Sequence, residues 1–386
     1  MTESFELRKF VAPEFVFGVG ARNLAGRYAK NLGGRKILVV SDPGVVAAGW
    51  TRDVMNSLEE AGLPYALFTG VSPNPKVDEV MAGVTVYEAE QCNTIVAVGG
   101  GSPIDCAKGI GIVSSNHKSI LLFEGVDMVR VPMPPLICIP TTGGTSADVS
   151  QFAIITNSLE KVKFAIISKS VVPDLALIDP ETLTSMNTYL TACTGLDALT
   201  HAIEAYVSIA RSTMTDLHAI EAIRLVSGNL LASIESPHDL DLRSKIMQGS
   251  LQAGLAFSNA ILGANHAMAH SLGGSLDIAH GECNAILLDH VIEFNMPSAP
   301  ERFEQIAEAM GLDLRGMDSA AKKKALLKHV REFKKAAGIV RTLEEIGVGR
   351  DDLAILSDHA LKDPCMATNP RKASRRDIEV VYEESL

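Results

Sequence analysis

The 386-residue sequence predicts an α/β domain with a doubly wound parallel sheet, followed by an all-α domain. Two observations carry this prediction. Strand and helix patterns alternate through the first half, and helical periodicity with few strand signals fills the second. The length agrees, because a chain of this size exceeds what one hydrophobic core normally serves. We place the boundary after the last strand signal, which gives domains at 1–184 and 185–386.

The strand signals of the first half are short apolar runs rich in β-branched residues, which suit strands buried on both faces of a parallel sheet. Four of them lie at 36–42, 65–71, 94–100 and 136–142. Three more runs, FAIITN, KFAIIS and LALIDP, fall between 152 and 180. One helical pattern precedes the first four runs and three separate them, at 22–33, 48–62, 77–91 and 103–112. This alternation joins parallel strands through helices and therefore predicts a doubly wound sheet.

The second half carries helical periodicity punctuated by prolines. The predicted helices lie at 190–209, 213–235, 240–261, 263–275, 299–311, 318–337, 350–362 and 371–384. An α/β domain joined to a helical one leaves a cleft between them, and such clefts are where binding sites usually form.

Composition restricts the classes of function. With 35 Lys and Arg against 46 Asp and Glu, the net charge of −11 argues against a nucleic-acid-binding protein. The six cysteines form no CxxC pair and most lie in apolar segments, which indicates buried free thiols in a reducing compartment. The first ten residues lack a signal-peptide core, and no stretch reaches the ~18 apolar residues of a membrane span. We therefore expect a cytoplasmic protein that does not bind membranes.

The strongest phosphate-binding candidate is the turn Gly99-Gly100-Gly101-Ser102 with Pro103, directly after the strand signal TIVAVGG. The glycines let a pyrophosphate approach the backbone, and Pro103 suits the first turn of a helix whose N-terminus attracts anions. A plain glycine turn is the alternative, but the strand–GGGS–Pro–helix order favours a nucleotide site. The earlier Gly18-x-Gly20 lacks a third glycine at the right spacing, so we interpret it as the end of a strand.

Other polar residues follow strand signals in the same half. Asp42 ends KILVVSD, where a carboxylate can bind a ribose diol and repel a 2′-phosphate, favouring NAD over NADP. A helix or turn cap beside Pro43 is the alternative interpretation of Asp42. Thr141 and Thr142 lie in PTTGGTS, which can hold the phosphate or nicotinamide side of a nucleotide or form a simple turn. Asn74, in the SPNP turn, is a weaker candidate.

Five residues of the helical half form a candidate metal site. Asp197 and His201 are four residues apart, as are His266 and His270, so each pair shares one helix face. His280 precedes a glycine. A single histidine on an apolar helix is more often a core residue, but several buried imidazoles each need partners, and one metal ion satisfies them together. Four ligands of this kind suit Fe²⁺ or Zn²⁺, and spacing alone leaves open which candidate is excluded. If Asp197, His201, His266 and His280 bind, His270 is free to act beside the ion.

Four motifs together resemble the iron-containing (group III) alcohol dehydrogenases. They are GGGSPID, PTTGGTS, GLDALTHAIEAY and HAMAHSLGGSLDIAHGECNA, and the resemblance runs from FVFG near the start to DPCMATNPR near the end. It implies the dehydroquinate synthase-like architecture, with a Rossmann-like nucleotide-binding domain and an all-α metal-binding domain. It also implies a metal- and NAD-dependent enzyme that interconverts small primary alcohols or diols and aldehydes, in a homodimer or larger homo-oligomer.

The resemblance also implies roles for individual residues. It assigns one divalent metal, Fe²⁺ by family with Zn²⁺ as the alternative, to Asp197, His201, His266 and His280. It places His270 beside the nicotinamide as the catalytic residue. It places around the cofactor Asp42, Asn74, Gly99, Gly100, Ser102, Thr141, Thr142 and Lys163. It places near the substrate Phe152, Phe257 and Cys365.

The chain departs from the usual family motifs at three acidic positions. Asp148 replaces a glutamate after the threonine-rich turn, and Glu282 and Asp289 add negative charge near His280. Two alternatives stay open from the sequence. One is a glycerol dehydrogenase-like or dehydroquinate synthase-like enzyme, or another polyol or hydroxy-acid dehydrogenase of the same architecture. The other is a low-turnover protein with a regulatory role.

Overall fold

The computed structural model describes residue 7 and residues 9–386, and it contains two sheets. The strands are β1 (Glu14–Phe17), β2 (Ile37–Val40), β3 (Tyr65–Phe68), β4 (Thr94–Gly99), β5 (Gly125–Val126), β6 (Leu136–Pro140), β7 (Phe152–Asn157), β8 (Val162–Ile167) and β9 (Leu175–Ile178). Six of them form an all-parallel sheet in the order β1-β9-β6-β4-β2-β3. The expectation of a signal-free N-terminus falls largely on residues 1–6 and 8, outside the described residues.

Helices cover both faces of the six-stranded sheet. They are α1 (Ala25–Asn31), α2 (Pro43–Ala47), α3 (Trp50–Glu60), α4 (Val77–Ala89) and α5 (Gly101–Asn116). Successive side chains of a strand point to opposite faces, so each strand feeds two cores. On β2, Ile37 and Val39 pack with the core of α1 and α3, whereas Leu38 and Val40 pack with that of α4 and α5. The predicted doubly wound sheet is confirmed.

The order of the sheet reverses between β2 and β4. From β2 the chain moves outward to β3, and from β4 it moves the opposite way through β6 and β9. Ligands of open α/β sheets bind beyond the carboxyl ends of the strands at such a reversal. Asp42 follows β2 there, and the glycine turn follows β4.

The second sheet is smaller and has the order β5-β8-β7. β7 and β8 form an antiparallel hairpin in which Phe152 lies opposite Ile167. The runs FAIITN and KFAIIS are therefore strands of a separate sheet, and they pair antiparallel because a four-residue connection is too short for a parallel crossover.

The second half of the described chain is helical. Its helices are α6 (Thr188–Val207), α7 (Thr213–Glu235), α8 (Leu240–Ala260), α9 (Ala264–Leu276), α10 (His280–Asn295), α11 (Pro300–Ala309), α12 (Ser319–Ala336), α13 (Leu353–Lys362) and α14 (Arg375–Ser385). By length and composition α7 could cross a membrane. This is weak evidence for a membrane span, because α7 packs against α6 and α8 as a helix of a folded core does.

In the second half the helical prediction missed one α-helix, α10, and His280 is its first residue. α10 is buried on most sides, so it has no polar face whose 3.6-residue period would reveal it. The predicted helix at 48–62 is α3, whereas α2 was not predicted, and Gly49 with a left-handed φ of 92° separates the two. The last strand ends at Ile178 and α6 begins at Thr188, and the domain limits of 1–184 and 185–386 stay a prediction.

Candidate metal and nucleotide site

Three helices bring the four candidate metal ligands together. α6 carries Asp197 and His201, α9 carries His266, and α10 begins with His280. Asp197 Oδ1 lies 3.6 Å from His266 Nε2 and 3.8 Å from His280 Nε2, while Asp197 Oδ2 lies 3.9 Å from His201 Nδ1. Ligand atoms of Asp197, His201 and His266 all lie within 4.8 Å of one another. The carboxylate is the common neighbour of the three imidazoles.

Burial and charge act against each other at these side chains. Burial would raise the pKa of Asp197, but the surrounding imidazoles hold it well below its ordinary range. Burial lowers the pKa of His201 to about 3 despite the nearby carboxylate, and lowers that of His280 as well. Burial alone would lower the pKa of His266, but Glu204 and Asp197 raise it to about 9.

Glu204 is a functional candidate that the sequence reasoning missed. Its Oε2 lies 2.5 Å from His266 Nδ1, and its Oε1 accepts the backbone N–H of Asn265 at 2.7 Å. A carboxylate that accepts a hydrogen bond from Nδ1 orients a metal-binding imidazole and leaves Nε2 free to bind the metal. Asp197, His201 and Glu204 follow an i, i+4, i+7 pattern on α6, and that spacing was the available signal.

Asn284 is a second missed residue, one turn after His280 on α10. Its Nδ2 lies 2.7 Å from Asp197 Oδ1, 3.1 Å from His266 Nε2 and 3.2 Å from His280 Nε2. Asn265 in turn donates to Asn284 Oδ1 at 2.9 Å. The amide nitrogen therefore contacts three of the candidate ligands and has two hydrogens to share among them.

His270 lies beside this cluster, with its ring stacked on His280 at a centroid distance of 5.2 Å. Its Nδ1 lies 2.8 Å from Asp363 Oδ2. Burial would raise the pKa of Asp363, but His270 and the N–H of Cys365 hold it below its ordinary value. Asp363 is 93 residues away in sequence, so no local pattern could have paired it with His270.

The glycine turn after β4 is shaped by close contacts that exclude side chains. Gly99 has a φ of 156°, and a Cβ there would lie 2.5 Å from the ring of Pro103. A Cβ on Gly101 would lie 2.7 Å from Thr145 Oγ1. The turn leads directly into α5, whose first residues are Gly101 and Ser102. This side-chain-free backbone at a helix N-terminus can hold phosphate groups.

The two threonines after β6 face the same turn. The methyl and hydroxyl groups of Thr142 lie 3.1 and 3.3 Å from the position of a Cβ on Gly100. The buried hydroxyl of Thr142 has no hydrogen-bond partner among residues 9–386. Buried polar groups are normally paired, so this hydroxyl is available to a ligand. Thr141 and Ser102 line the same cleft.

The capping interpretation of Asp42 is confirmed, and its ribose-binding role stays a prediction. Its Oδ1 accepts the N–H groups of Gly44 and Val45 at 2.8 and 3.0 Å and so caps α2. The residue also lines the cleft, where its carboxylate is available to a ribose.

Lys163 is linked to Asn74 and Asp277, two other residues of the cleft, by a chain of hydrogen bonds. Its Nζ donates to Asn74 Oδ1 at 2.7 Å, and Asn74 Nδ2 donates to Asp277 Oδ1 at 2.7 Å. Burial lowers the pKa of Lys163. Asp277, three residues before His280, was missed as a neighbour of the candidate cofactor residues.

One cleft of about 810 Å³ joins the metal cluster to the glycine turn. Its volume is that of a typical small-molecule or cofactor site. Phe152 and Phe257 lie in its wall with ring centroids 5.7 Å apart, and Phe257 stacks on His201 at 4.3 Å. Cys365 is fully buried and is not among the described residues that line the cleft. Its substrate role stays a prediction.

The extra negative charges near His280 are paired. Glu282 forms an ion pair with Arg341, and Asp289 contacts Lys334 at 2.5 Å and Arg331 at 2.6 Å. They therefore add little net field at the candidate ligands.

Two family models match the chain. The model described as iron-containing alcohol dehydrogenase covers residues 12–180. The model described as Fe-containing alcohol dehydrogenase family, C-terminal, covers residues 191–386. Between them they include both halves of the cleft.

Individual proteins match over their whole length. The 1,3-propanediol dehydrogenase of Klebsiella pneumoniae is 38% identical over 99% of this chain and 100% of its own. The NAD-dependent methanol dehydrogenase of Bacillus methanolicus is 36% identical over 98% of this chain and 99% of its own. A crystal structure of a 1,3-propanediol oxidoreductase superposes with a TM-score of 0.96 at 38% identity, covering 99% of this chain and 100% of that one.

Proposed function

The chain belongs to the iron-containing alcohol dehydrogenase family and is an oxidoreductase acting on alcohols or diols, and we propose that it interconverts small primary alcohols or short diols with aldehydes, using NAD and one divalent metal. One observation carries the proposal. A carboxylate and three imidazoles converge at one end of the cleft whose other end is a glycine turn at a helix N-terminus.

The residues present fit a divalent metal. Two ligands at tetrahedral angles on one ion, with bonds of ~2.1 Å, are about 3.4 Å apart. The separations of 3.6 and 3.8 Å from Asp197 Oδ1 to His266 and His280 are close to that value. His201 Nδ1 is buried without a hydrogen-bond partner in the described chain, which a ligand role would satisfy. We propose Asp197, His201, His266 and His280 as the ligands of Fe²⁺, with Zn²⁺ as the alternative that general affinity order favours.

The residues also fit a nicotinamide dinucleotide. Gly99, Gly100 and Ser102 offer backbone at the start of α5, and the unpartnered Thr142 hydroxyl faces them. We propose that Asp42 binds the adenosine ribose and disfavours NADP. Asn74, Thr141 and Lys163 complete the proposed cofactor residues on the same cleft.

When bound, a metal held by Asp197, His201, His266 and His280 would supply Lewis acidity toward an alcohol oxygen, and a nicotinamide in the cleft would supply the hydride acceptor. Phe152 and Phe257 exclude water and restrict the size of the substrate. His270, on the cleft at 6% exposure, takes the hydroxyl proton at Nε2 during oxidation and returns it during reduction. Alcohol and NAD⁺ thus give aldehyde, NADH and one proton.

The remaining parts of the proposal rest on composition and family. All six cysteines are buried and unpaired, which supports a reducing, cytoplasmic location. We propose a homodimer or larger homo-oligomer that does not bind nucleic acid or membranes. Two alternatives to this proposal are a glycerol dehydrogenase-like enzyme and a low-turnover regulatory protein. A substrate panel distinguishes them.

The experiment is a substrate panel on protein purified without oxygen and analysed for bound metals. We expect one metal per chain and NADH formation with ethanol, 1-propanol or 1,3-propanediol, with NADP less effective. Preference for glycerol would favour the glycerol dehydrogenase-like alternative. Full metal and tight NAD binding with negligible turnover on every alcohol would favour the regulatory alternative.

A further inference from the structure

We propose that Asp363 is a positioning residue that fixes the tautomer of His270, so that Nδ1 carries the hydrogen and Nε2 presents a lone pair to the cleft. The inference rests on the proposed function, in which His270 handles the substrate proton. It adds a residue that acts through His270 and has no contact of its own with the reacting atoms.

The hydrogen bond between the two side chains determines the tautomer. His270 Nδ1 lies 2.8 Å from Asp363 Oδ2, and both side chains are more than nine-tenths buried. An ionised carboxylate can only accept hydrogen bonds, so Nδ1 must be the donor. The backbone N–H of Cys365 also donates to this carboxylate and favours its ionised form. Neutral His270 is then left with its acceptor at Nε2.

Asp363 is itself held in place. Its Oδ1 accepts the backbone N–H of Cys365 at 2.8 Å, at the start of the 3₁₀ turn Pro364–Thr368. One oxygen is thus tied to the backbone, and the other is aimed at His270. The imidazole also stacks on His280, with an interplanar angle of 15°. The ring is therefore fixed from its edge and from its face.

The position of Asp363 allows it to orient His270 without contacting the substrate. A second cavity of about 460 Å³ lies behind His270 and is lined by Asp363, Lys362, His359 and Glu124. His270 lines both cavities, whereas Asp363 lines the second and not the 810 Å³ cleft. The carboxylate lies on the far side of the imidazole from the proposed substrate.

The decisive variant is Asp363→Asn in the metal-loaded enzyme. Asparagine keeps an oxygen for the N–H of Cys365 but can place its NH₂ against His270 Nδ1, which moves the ring hydrogen to Nε2. We expect kcat for alcohol oxidation to fall roughly 100-fold, with metal content unchanged and KM for the alcohol altered much less. Asp363→Glu, which restores a carboxylate, should recover part of the rate.

A matched control is Asp318→Asn, which changes a carboxylate that caps α12 through the N–H of Ala321 at 2.8 Å. It should leave kcat and metal content unchanged. An Asp363→Asn enzyme as active as the control would overturn the inference while leaving the proposed function intact. An inactive unmodified enzyme would remove the proposed function instead.

The tautomer has a direct readout that needs no turnover. ¹⁵N-imidazole NMR of the zinc-loaded protein, with His270→Ala to identify the signals, should show protonated Nδ1 and unprotonated Nε2 in the unmodified chain. Asp363→Asn should reverse the pattern. If that variant does not fold, the unmodified spectrum decides alone, because a hydrogen on Nε2 would contradict the proposal.

Discussion

The two ends of the cleft are built from different parts of the chain. The metal end, formed by Asp197, His201, His266 and His280, consists of side chains on three buried helices. The nucleotide end is formed by the turn at Gly99–Ser102 and by Thr141 and Thr142, and it consists largely of backbone and hydroxyl groups after strands β4 and β6. The metal end depends on the functional groups of its side chains. The nucleotide end depends mainly on the absence of side chains at its glycines.

This difference determines how each end responds to substitution. At the metal end the proposed ligands have further buried polar partners, since Asp197 Oδ1 accepts from Asn284 and His266 Nδ1 contacts Glu204. Removing one side chain leaves buried polar partners unpaired. At the nucleotide end a substitution adds atoms to a crowded turn, and the response depends on how far the turn can shift.

The largest effect is expected from His266→Ala, which removes a ligand at the centre of the metal end. The variant should lose both bound metal and turnover, because the remaining three donors no longer enclose the ion. Elemental analysis and the NADH assay check this. The control is His218→Ala on α7, where the imidazole contacts Gln252 at 2.6 Å and no metal is proposed. Full metal occupancy in His266→Ala would break the assignment of this residue.

A smaller loss is expected from His270→Ala, which tests whether the metal end can be divided into ligands and a proton carrier. The variant should retain most of its metal, because His270 lies outside the proposed ligand set. Its kcat should fall by roughly 100-fold, the loss typical of one general acid–base group. Metal loss equal to that of His266→Ala would show that the two histidines have the same role.

The sequence predicted the two ends to different depths. It indicated candidate ligands because Asp-x3-His and His-x3-His spacings are visible on a single helix, and the choice of His280 over His270 came from the family resemblance. It did not indicate Glu204, Asn284 or Asp363. Asp363 reaches His270 only after the chain folds, and Asn284 lies on α10, whose buried surface gives no amphipathic signal.

At the nucleotide end the order strand–GGGS–helix was visible, and the confirmed fold places it at the reversal of the sheet. The contacts of the turn were not visible. The packing of Gly99 on Pro103 and of Gly101 on Thr145 depends on backbone geometry that residue spacing does not determine. The hairpin of β7 and β8 was likewise identified as strands but not as a separate sheet, since an apolar run does not specify its partner.

An intermediate effect is expected from Gly99→Ala at the nucleotide end. The added Cβ would lie 2.5 Å from Pro103, and the φ of 156° is one that L-residues rarely adopt. We expect KM for NAD to rise about tenfold or more, with metal content unchanged. Gly62→Ala is the control, because Gly62 also has a positive φ, of 70°, but no atom within 4 Å of the added Cβ. Similar KM values in the two variants would show that the contact with Pro103 does not matter.

The smallest effect is expected from Asp42, where charge rather than shape is tested. Asp42→Asn keeps an oxygen to cap α2 through Gly44 and Val45 but removes the negative charge that would repel a 2′-phosphate. The ratio of kcat/KM for NADP to that for NAD should rise by several-fold, up to about tenfold, a free-energy change of ~1.4 kcal/mol. Asp42→Gly should raise the ratio as well, with a small loss of thermal stability from the missing cap. An unchanged ratio in both variants would remove Asp42 from coenzyme selection and leave it only the capping role that its hydrogen bonds already show.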